Sequence, residues 1–177
     1  IDNAKLMIDQ CSKAGVGAVK FQSYHASKIA AKNSPAYWDL SKEKTPSQHE
    51  LFSKYDHWGE SEFIELADYC KSKSIEFMST PFDDEYVEIL NPLVKRYKIA
   101  SVDLTNYFLI EKIVRMNKPI ILSSGASSVN EIKSTVNFLK DLNFDVNNQL
   151  TILHCVIKYP NYMKDSGLGN IPVLIKE

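Results

Sequence analysis

Two lysines stand where an ammonium group is out of place, near the ends of apolar runs. "GVGAVKFQS" (15–23) sets Lys20 among Val16, Ala18, Val19 and Phe21, and "RYKIAS" (96–101) does the same with Lys98. A lysine buried alone costs several kcal/mol or gives up its proton. Two of them at strand ends escape that penalty when an anion lies between them. Hydroxyl and amide groups collect at equivalent positions. The first run ends in Gln22 and Ser23, "IEFMSTP" (75–81) in Ser79 and Thr80, and "YKIAS" in Ser101, with Asp103 just beyond. "KPIILSSG" (118–125) ends in Ser123, Ser124 and Gly125, and "QLTILHCV" (149–156) reaches His154, with Lys158 and Tyr159 following. Hydroxyls and backbone N–H groups beside paired lysines suit a phosphate or a carboxylate. One such lysine alone would read as snorkelling or salt-bridged. The pair, with polar groups at five strand ends, points to an anion site.

Other chemistries are less well served. His154 and Cys155 are neighbours in an extended run, so their side chains face opposite ways and cannot readily activate each other. The four histidines (His25, His49, His57, His154) lack a compact zinc spacing, and no metal site is expected from this chain's residues alone. There is no phosphate-cradling G-x-G-x-x-G or Walker A loop and no serine nucleophile elbow.

The elements that must position these groups alternate. Helical patterns at 3–15, 61–74, 83–93, 106–117 and 128–143 are separated by short apolar strands at 17–23, 75–81, 97–101, 118–125 and 149–156. Asn3 or Asp2 is expected to cap the first helix, Gly15 to end it, and Ser61 to cap the second. This β-α alternation, with strands of the fully covered type, predicts an α/β fold with a parallel sheet, in flavodoxin-like or barrel topology. Ligands of such folds bind at the carboxyl ends of the strands, where the polar groups collect. One connection is out of proportion. Residues 25–60 hold Tyr37, Trp38, His49, Tyr55, His57 and both tryptophans' worth of aromatic bulk with Trp58. It reads either as a lid over a site or as an excursion packing its aromatics on the flank.

A net charge of −1 argues against nucleic acid and against an anionic membrane surface as partners. No apolar run approaches the ~20 residues of a membrane span. Three cysteines, Cys11, Cys70 and Cys155, without paired spacing, indicate a reducing compartment and a cytoplasmic location. Ile1 opens directly on a helical pattern and "GNIPVLIKE" stops abruptly, so both ends read as cut from a longer product.

Five motifs in order, "AVKFQS", "IEFMSTPFD", "YKIAS" with "DLTN", "PIILSSGAS" with "NEI", and "LHCVIKYP", resemble the N-acetylneuraminate (sialic acid) synthase family, with its legionaminic acid, pseudaminic acid and spore-coat relatives. The likeness runs through about residues 3–162. It implies a partial (β/α)8 TIM barrel in which residues 1–177 carry strands two to six of a single catalytic domain. The first strand, the last two strands and any antifreeze-like domain would then lie outside the chain. It implies condensation of phosphoenolpyruvate with an N-acyl hexosamine of the N-acetylmannosamine type to a nine-carbon 2-keto sugar acid, with release of phosphate. Mn²⁺ or Mg²⁺ would polarise the aldehyde, its ligands lying in motifs that this chain lacks. A homodimer is the family's usual assembly. Lys20, Thr80, Lys98, Ser101 and Ser123 match the phosphoenolpyruvate ligands, with Gln22 lining the same site. Tyr159 matches a tyrosine near the sugar, and Asp103 and Asn106 a supporting loop at the same mouth. Two positions depart. Ile157 replaces a residue expected to hydrogen-bond the sugar, with Lys158 adding a charge, and Val102 replaces a glycine, which is costly if the position needs positive φ. Both departures fall on the sugar side. They leave two alternatives, a non-catalytic anion-binding barrel module and a related phosphoenolpyruvate-aldose synthase.

Overall fold

The computed structural model describes residues 1–176, and Glu177 lies outside the described residues. The chain forms two compact units, Ile1–Val94 and the part from Lys95 onward.

In the first unit, α1 (Asp2–Lys13), β1 (Ala18–Ser23), α2 (Ala26–Ile29), α3 (Gln48–Ser53), α4 (Glu60–Ser72), β2 (Glu76–Pro81) and α5 (Asp84–Leu90) follow in order. The strands pair in parallel, with Lys20 opposite Met78 and Gln22 opposite Thr80. Ile8, Phe63, Leu66, Cys70, Phe77, Val87 and Leu90 fill the core. Gly15, at φ +74°, turns the chain out of α1. Neither Asp2 nor Asn3 caps that helix. The N-cap is Ile1, and Asp2 lies in the first turn, where its charge favours the positive helix end. Ser61 is likewise inside α4, whose N-cap is Gly59. The Glu62 carboxylate reaches back to accept the Gly59 N–H at 2.8 Å, so the acid three residues on sets the boundary. β1 is not the fully covered strand that its apolar residues suggest. Val19 and Ser23 are buried, while Lys20 and Gln22 lie on an exposed face.

The second unit runs β3 (Tyr97–Ile99), a 3-10 turn (Ser101–Asp103), α6 (Tyr107–Val114), β4 (Ile120–Ser123), α7 (Val129–Asp141), α8 (Val146–Gln149), β5 (Leu150–Leu153), a second 3-10 turn (Met163–Asp165) and α9 (Asn170–Lys176). Its three strands pair in parallel in the order β3-β4-β5. Tyr97, Ile99, Leu104, Ile110, Ile113, Ile120, Leu122 and Leu139 form the core. Side chains set the helix starts. Asn106 accepts from Leu109 N, and Ser128 and Glu131 form a reciprocal capping box. Each unit is thus parallel strand and covering helix, the α/β class expected. No described helix is long and apolar enough to cross a membrane, and the three cysteines are free thiols.

Candidate active site

In the second unit the polar groups at the strand ends bond to one another. Lys98 Nζ, half-buried, donates to Ser123 Oγ at 2.5 Å and to the Ile99 carbonyl at 2.8 Å. Adjacent strands thereby hold the ammonium at their carboxyl edge. Ser101 Oγ accepts the Gly125 N–H at 3.0 Å. Each serine oxygen is used as an acceptor, which leaves its own O–H available as a donor. Ser124 ties the end of β4 to β5, its Oγ donating to the Leu153 carbonyl at 2.9 Å. Ala126, at φ +57°, makes the turn that follows Gly125. A Cβ on Gly125 would stand 2.8 Å from Ile157 Cγ2 and 2.9 Å from Ser101 Oγ. A side chain at this position would therefore displace Ile157 or Ser101. Ile157 belongs to this cluster by packing against it.

The other marked residues of this unit are placed differently. Tyr159 is 94% exposed and makes no hydrogen bond among the described residues. Lys158 is neutralised locally, 3.6 Å from Asp165 and 4.7 Å over the Tyr162 ring. Val102 sits within a 3-10 turn and is not among the residues at positive φ, so the anticipated strain is absent. The His154 ring donates to the Ser166 carbonyl at 2.8 Å, an anchor for the following loop. Asp103 accepts from Asn106 Nδ2 through Oδ1, while its Oδ2 is buried with no hydrogen bond among the described residues. Burial pushes its carboxyl pKa up, against a smaller lowering by the Asn106 hydrogen bond.

In the first unit Lys20 and Gln22 alternate along the exposed face of β1. The protein crowded around Lys20 lowers its ammonium pKa by desolvation, although the side chain keeps access to solvent. The Gln22 carboxamide makes no hydrogen bond among the described residues. Thr80, opposite Gln22 in register, is buried. Behind this face Ser23 and Ser79 share a hydrogen bond of 2.7 Å.

The long connection of residues 25–60 is pinned at both ends. At its start, the Asp83 carboxylate takes the His25 backbone N–H at 2.9 Å and faces His25 Nδ1 at 3.0 Å, while capping α5 through Glu85 N and Tyr86 N. At its end, Tyr86 OH donates to the Trp58 carbonyl at 2.7 Å, and the Asp56 carboxylate accepts Ala26 N–H at 2.6 Å. The Trp58 ring packs on Phe21 and Phe63. This part of the connection packs its aromatics on the unit, as one of the two sequence readings held. A recess lined by Gln22, Tyr24, Tyr55, Asp56, Trp58 and Phe63 opens beside it. Burial, and secondarily the Asp56 charge, raises the Tyr24 pKa, and the same causes push Tyr86 up to about 12. The aromatic density of this stretch is visible in the sequence, whereas the anchoring roles of Asp56 and Asp83 carry no motif there.

Among the described residues no group of three or more His, Cys, Asp or Glu is arranged to hold a metal ion. These residues do not provide a site for the divalent cation that the resemblance implies.

The NeuB family model matches residues 7–177. The chain belongs to the NeuB family. It is 36% identical over 160 residues to the N,N'-diacetyllegionaminic acid synthase of Campylobacter jejuni, covering 89% of this chain and 47% of that one. It is 29% identical to the N-acetylneuraminate-9-phosphate synthase of Drosophila melanogaster, covering 98% of this chain and 46% of that one. The solved N-acetylneuraminic acid synthetase of Leptospira borgpetersenii, in complex with citrate, superposes with a TM-score of 0.82 at 30% identity, over 98% of this chain and 56% of that one. The chain spans about half the length of the curated relatives it matches. Its α/β architecture accordingly matches about half of a NeuB-type TIM-barrel chain.

Proposed function

We propose that this NeuB chain carries the phosphoenolpyruvate-binding part, and part of the acceptor site, of a sugar-acid synthase. The enzyme joins phosphoenolpyruvate to an N-acyl hexosamine of the N-acetylmannosamine type. The enol carbon of the donor forms a C–C bond to the open-chain aldehyde carbon. Water adds to the resulting cationic carbon, and phosphate leaves by C–O cleavage to give a nine-carbon 2-keto acid. The carrying observation is Lys98 Nζ held at the strand edge by Ser123 Oγ, beside the Ser101–Gly125 hydrogen bond. A fixed ammonium beside hydroxyls whose O–H groups are available is the chemistry that holds a phosphate or carboxylate before reaction and takes up charge on the leaving phosphate during it.

Lys20 supplies a second cation, and Gln22 and Thr80 line its strands. That a related synthetase is solved with citrate, a tricarboxylate, supports the anion-binding reading. In this proposal both units belong to one barrel domain, of which the chain carries strands two to six. The divalent cation, Mn²⁺ or Mg²⁺, takes its ligands from outside the described residues. The protein works as a cytoplasmic homodimer on small molecules, without nucleic acid or membrane as partner.

The test is phosphate release from phosphoenolpyruvate by the whole protein with Mn²⁺, across N-acyl hexosamines and phosphorylated aldoses. Release that requires an N-acyl hexosamine supports the reading, and Lys98→Ala abolishes it together with donor binding. Release only with phosphorylated aldoses assigns the related aldose synthase. Donor binding without release under any sugar assigns a non-catalytic anion-binding module.

A further inference from the structure

The recess in the first unit differs in kind from the lysine sites. Its walls are the rings of Tyr24, Tyr55, Trp58 and Phe63, with one carboxylate, Asp56, and one carboxamide, Gln22. No basic side chain lines it. The nearest lysine in sequence, Lys54, turns away to Glu43 and Thr45. Both polar groups keep free valence. Asp56 Oδ2 is held by Ala26 N–H at 2.6 Å, while Oδ1 makes no hydrogen bond among the described residues, and neither does the Gln22 carboxamide. Aromatic faces with an unengaged carboxylate and amide form a surface for C–H groups and hydroxyl or amide donors. The same surface repels an anion.

The recess is also built in advance. Asp56 is clipped to the start of the connection, the Trp58 carbonyl is held by Tyr86 OH, and the Trp58 ring is wedged between Phe21 and Phe63. Its place along β1 gives it a role. Lys20 and Gln22 are alternate residues of β1, roughly 6.6 Å apart, and Tyr24 follows the strand's last residue, Ser23. With the donor's anion at Lys20, the acceptor's aldehyde must lie close to it. The far end of an acceptor of hexose length then reaches past Gln22 to the recess.

We infer that this recess is a specificity-determining subsite that seats the uncharged far end of the acceptor, and that Asp56 within it turns away acceptors carrying a phosphate there. This rests on the synthase reading proposed above and adds to it the acceptor's charge class and the residue that selects it. The carboxylate accepts a terminal hydroxyl through Oδ1, Gln22 bridges along the chain, and Trp58 and Tyr55 cover its carbon face. A terminal phosphate would meet Asp56 with no basic residue in the recess to offset it.

The experiment compares N-acetylmannosamine with N-acetylmannosamine 6-phosphate as acceptors for the whole protein and for Asp56→Asn. The asparagine keeps an oxygen for Ala26 N–H, removes the charge and sets an amide donor in place of Oδ1, to which a terminal hydroxyl or a phosphate can still bond. The unphosphorylated sugar is expected to lead in kcat/KM by about tenfold or more, and Asp56→Asn to narrow the gap by about tenfold, through the KM of the phosphorylated sugar. The KM for phosphoenolpyruvate stays unchanged. A preference for the phosphorylated sugar, or a ratio untouched by Asp56→Asn, overturns the inference and leaves the synthase reading standing. If neither sugar supports phosphate release, that reading fails instead, and the part of the tryptophan fluorescence that Trp58→Phe removes decides the recess. Quenching by N-acetylmannosamine that Asp56→Ala abolishes upholds it as a sugar subsite, and no quenching overturns it.

Discussion

Ile157 closes over Gly125. Its Cγ2 methyl lies so near that a Cβ on Gly125 would stand 2.8 Å from it, with Ser101 Oγ at 2.9 Å and Cys155 Cβ at 3.4 Å. The contact joins the loop after β5 to the turn after β4, beside the bond from Gly125 N–H to Ser101 Oγ.

Gly125→Ala is therefore expected to destabilise the protein by about 1–3 kcal/mol through overpacking. Urea unfolding measures this. Ile157→Ala in the same background restores part of the loss, because it removes one of the two close neighbours. Strictly additive single and double variants would show that the Ile157 contact is not the cause. Donor affinity should fall with Gly125→Ala as well, since the added Cβ, 2.9 Å from Ser101 Oγ, pushes that hydroxyl from its place.

Lys20 is held at the cost of desolvation, which lowers its pKa below the ordinary 10.5. The sign follows from proton counting. Where both states are protonated, the folded state carries the cost. As pH rises through the folded pKa toward 10.5, the unfolded state binds more protons and the folded state gains stability. Lys20→Met should thus raise the urea midpoint of the ligand-free protein at pH 7, with a gain that shrinks as pH approaches 10.5. It should also weaken phosphoenolpyruvate binding at least about tenfold, the loss of one charge-assisted contact. A midpoint that falls in Lys20→Met would rule out the desolvation account.

The lysines and the strand-end hydroxyls were legible because strand ends carry a period-two pattern that apolar runs make visible. Lys98 and Ser123 meet as neighbouring parallel strands demand, Ile99 lying opposite Leu122 in register. The start of α4 was misplaced because Gly59 caps only with the Glu62 carboxylate folded back on it, a contact that the cap residue itself does not announce. The pinning of Trp58 by Tyr86 joins residues far apart in the chain and carries no local signature. Asp56 was illegible for the same reason, since its role comes from Ala26 N–H and the rings around it. The cost feared at Val102 vanished because its 3-10 turn needs only ordinary backbone angles.

Asp103 predicts a pH dependence of the opposite kind. Its carboxyl is raised above the ordinary 3.8, chiefly by burial, with Oδ2 left without a hydrogen bond among the described residues. The folded state therefore binds the proton more tightly, and stability falls as pH rises from 3.8 through the folded pKa. Asp103→Asn removes that titration. The urea midpoint of the variant should vary less than wild type over this window, while the two curves run parallel well above it. Identical pH profiles would show that the buried oxygen is compensated in solution.

Asp83 anchors the long connection, and its removal should be the most damaging of these changes. The side chain is 4% exposed and serves the N–H groups of His25, Glu85 and Tyr86, with Lys28 Nζ at 3.7 Å. The His25 ring in turn lies on Tyr86 at 4.8 Å between centroids, and Tyr86 holds the Trp58 carbonyl. Asp83→Ala deletes a helix cap and strands buried donors, a loss of about 2–4 kcal/mol. His25→Ala, which leaves the cap intact, should cost about 1 kcal/mol. In the double variant the His25 contribution should largely disappear, because its partner is already gone. Unfolding free energies of the two single variants and the double variant measure this. Fully additive losses would mean that His25 and Asp83 stabilise the connection independently, and the coupling anchor would have to lie in the Tyr86–Trp58 and Asp56–Ala26 bonds.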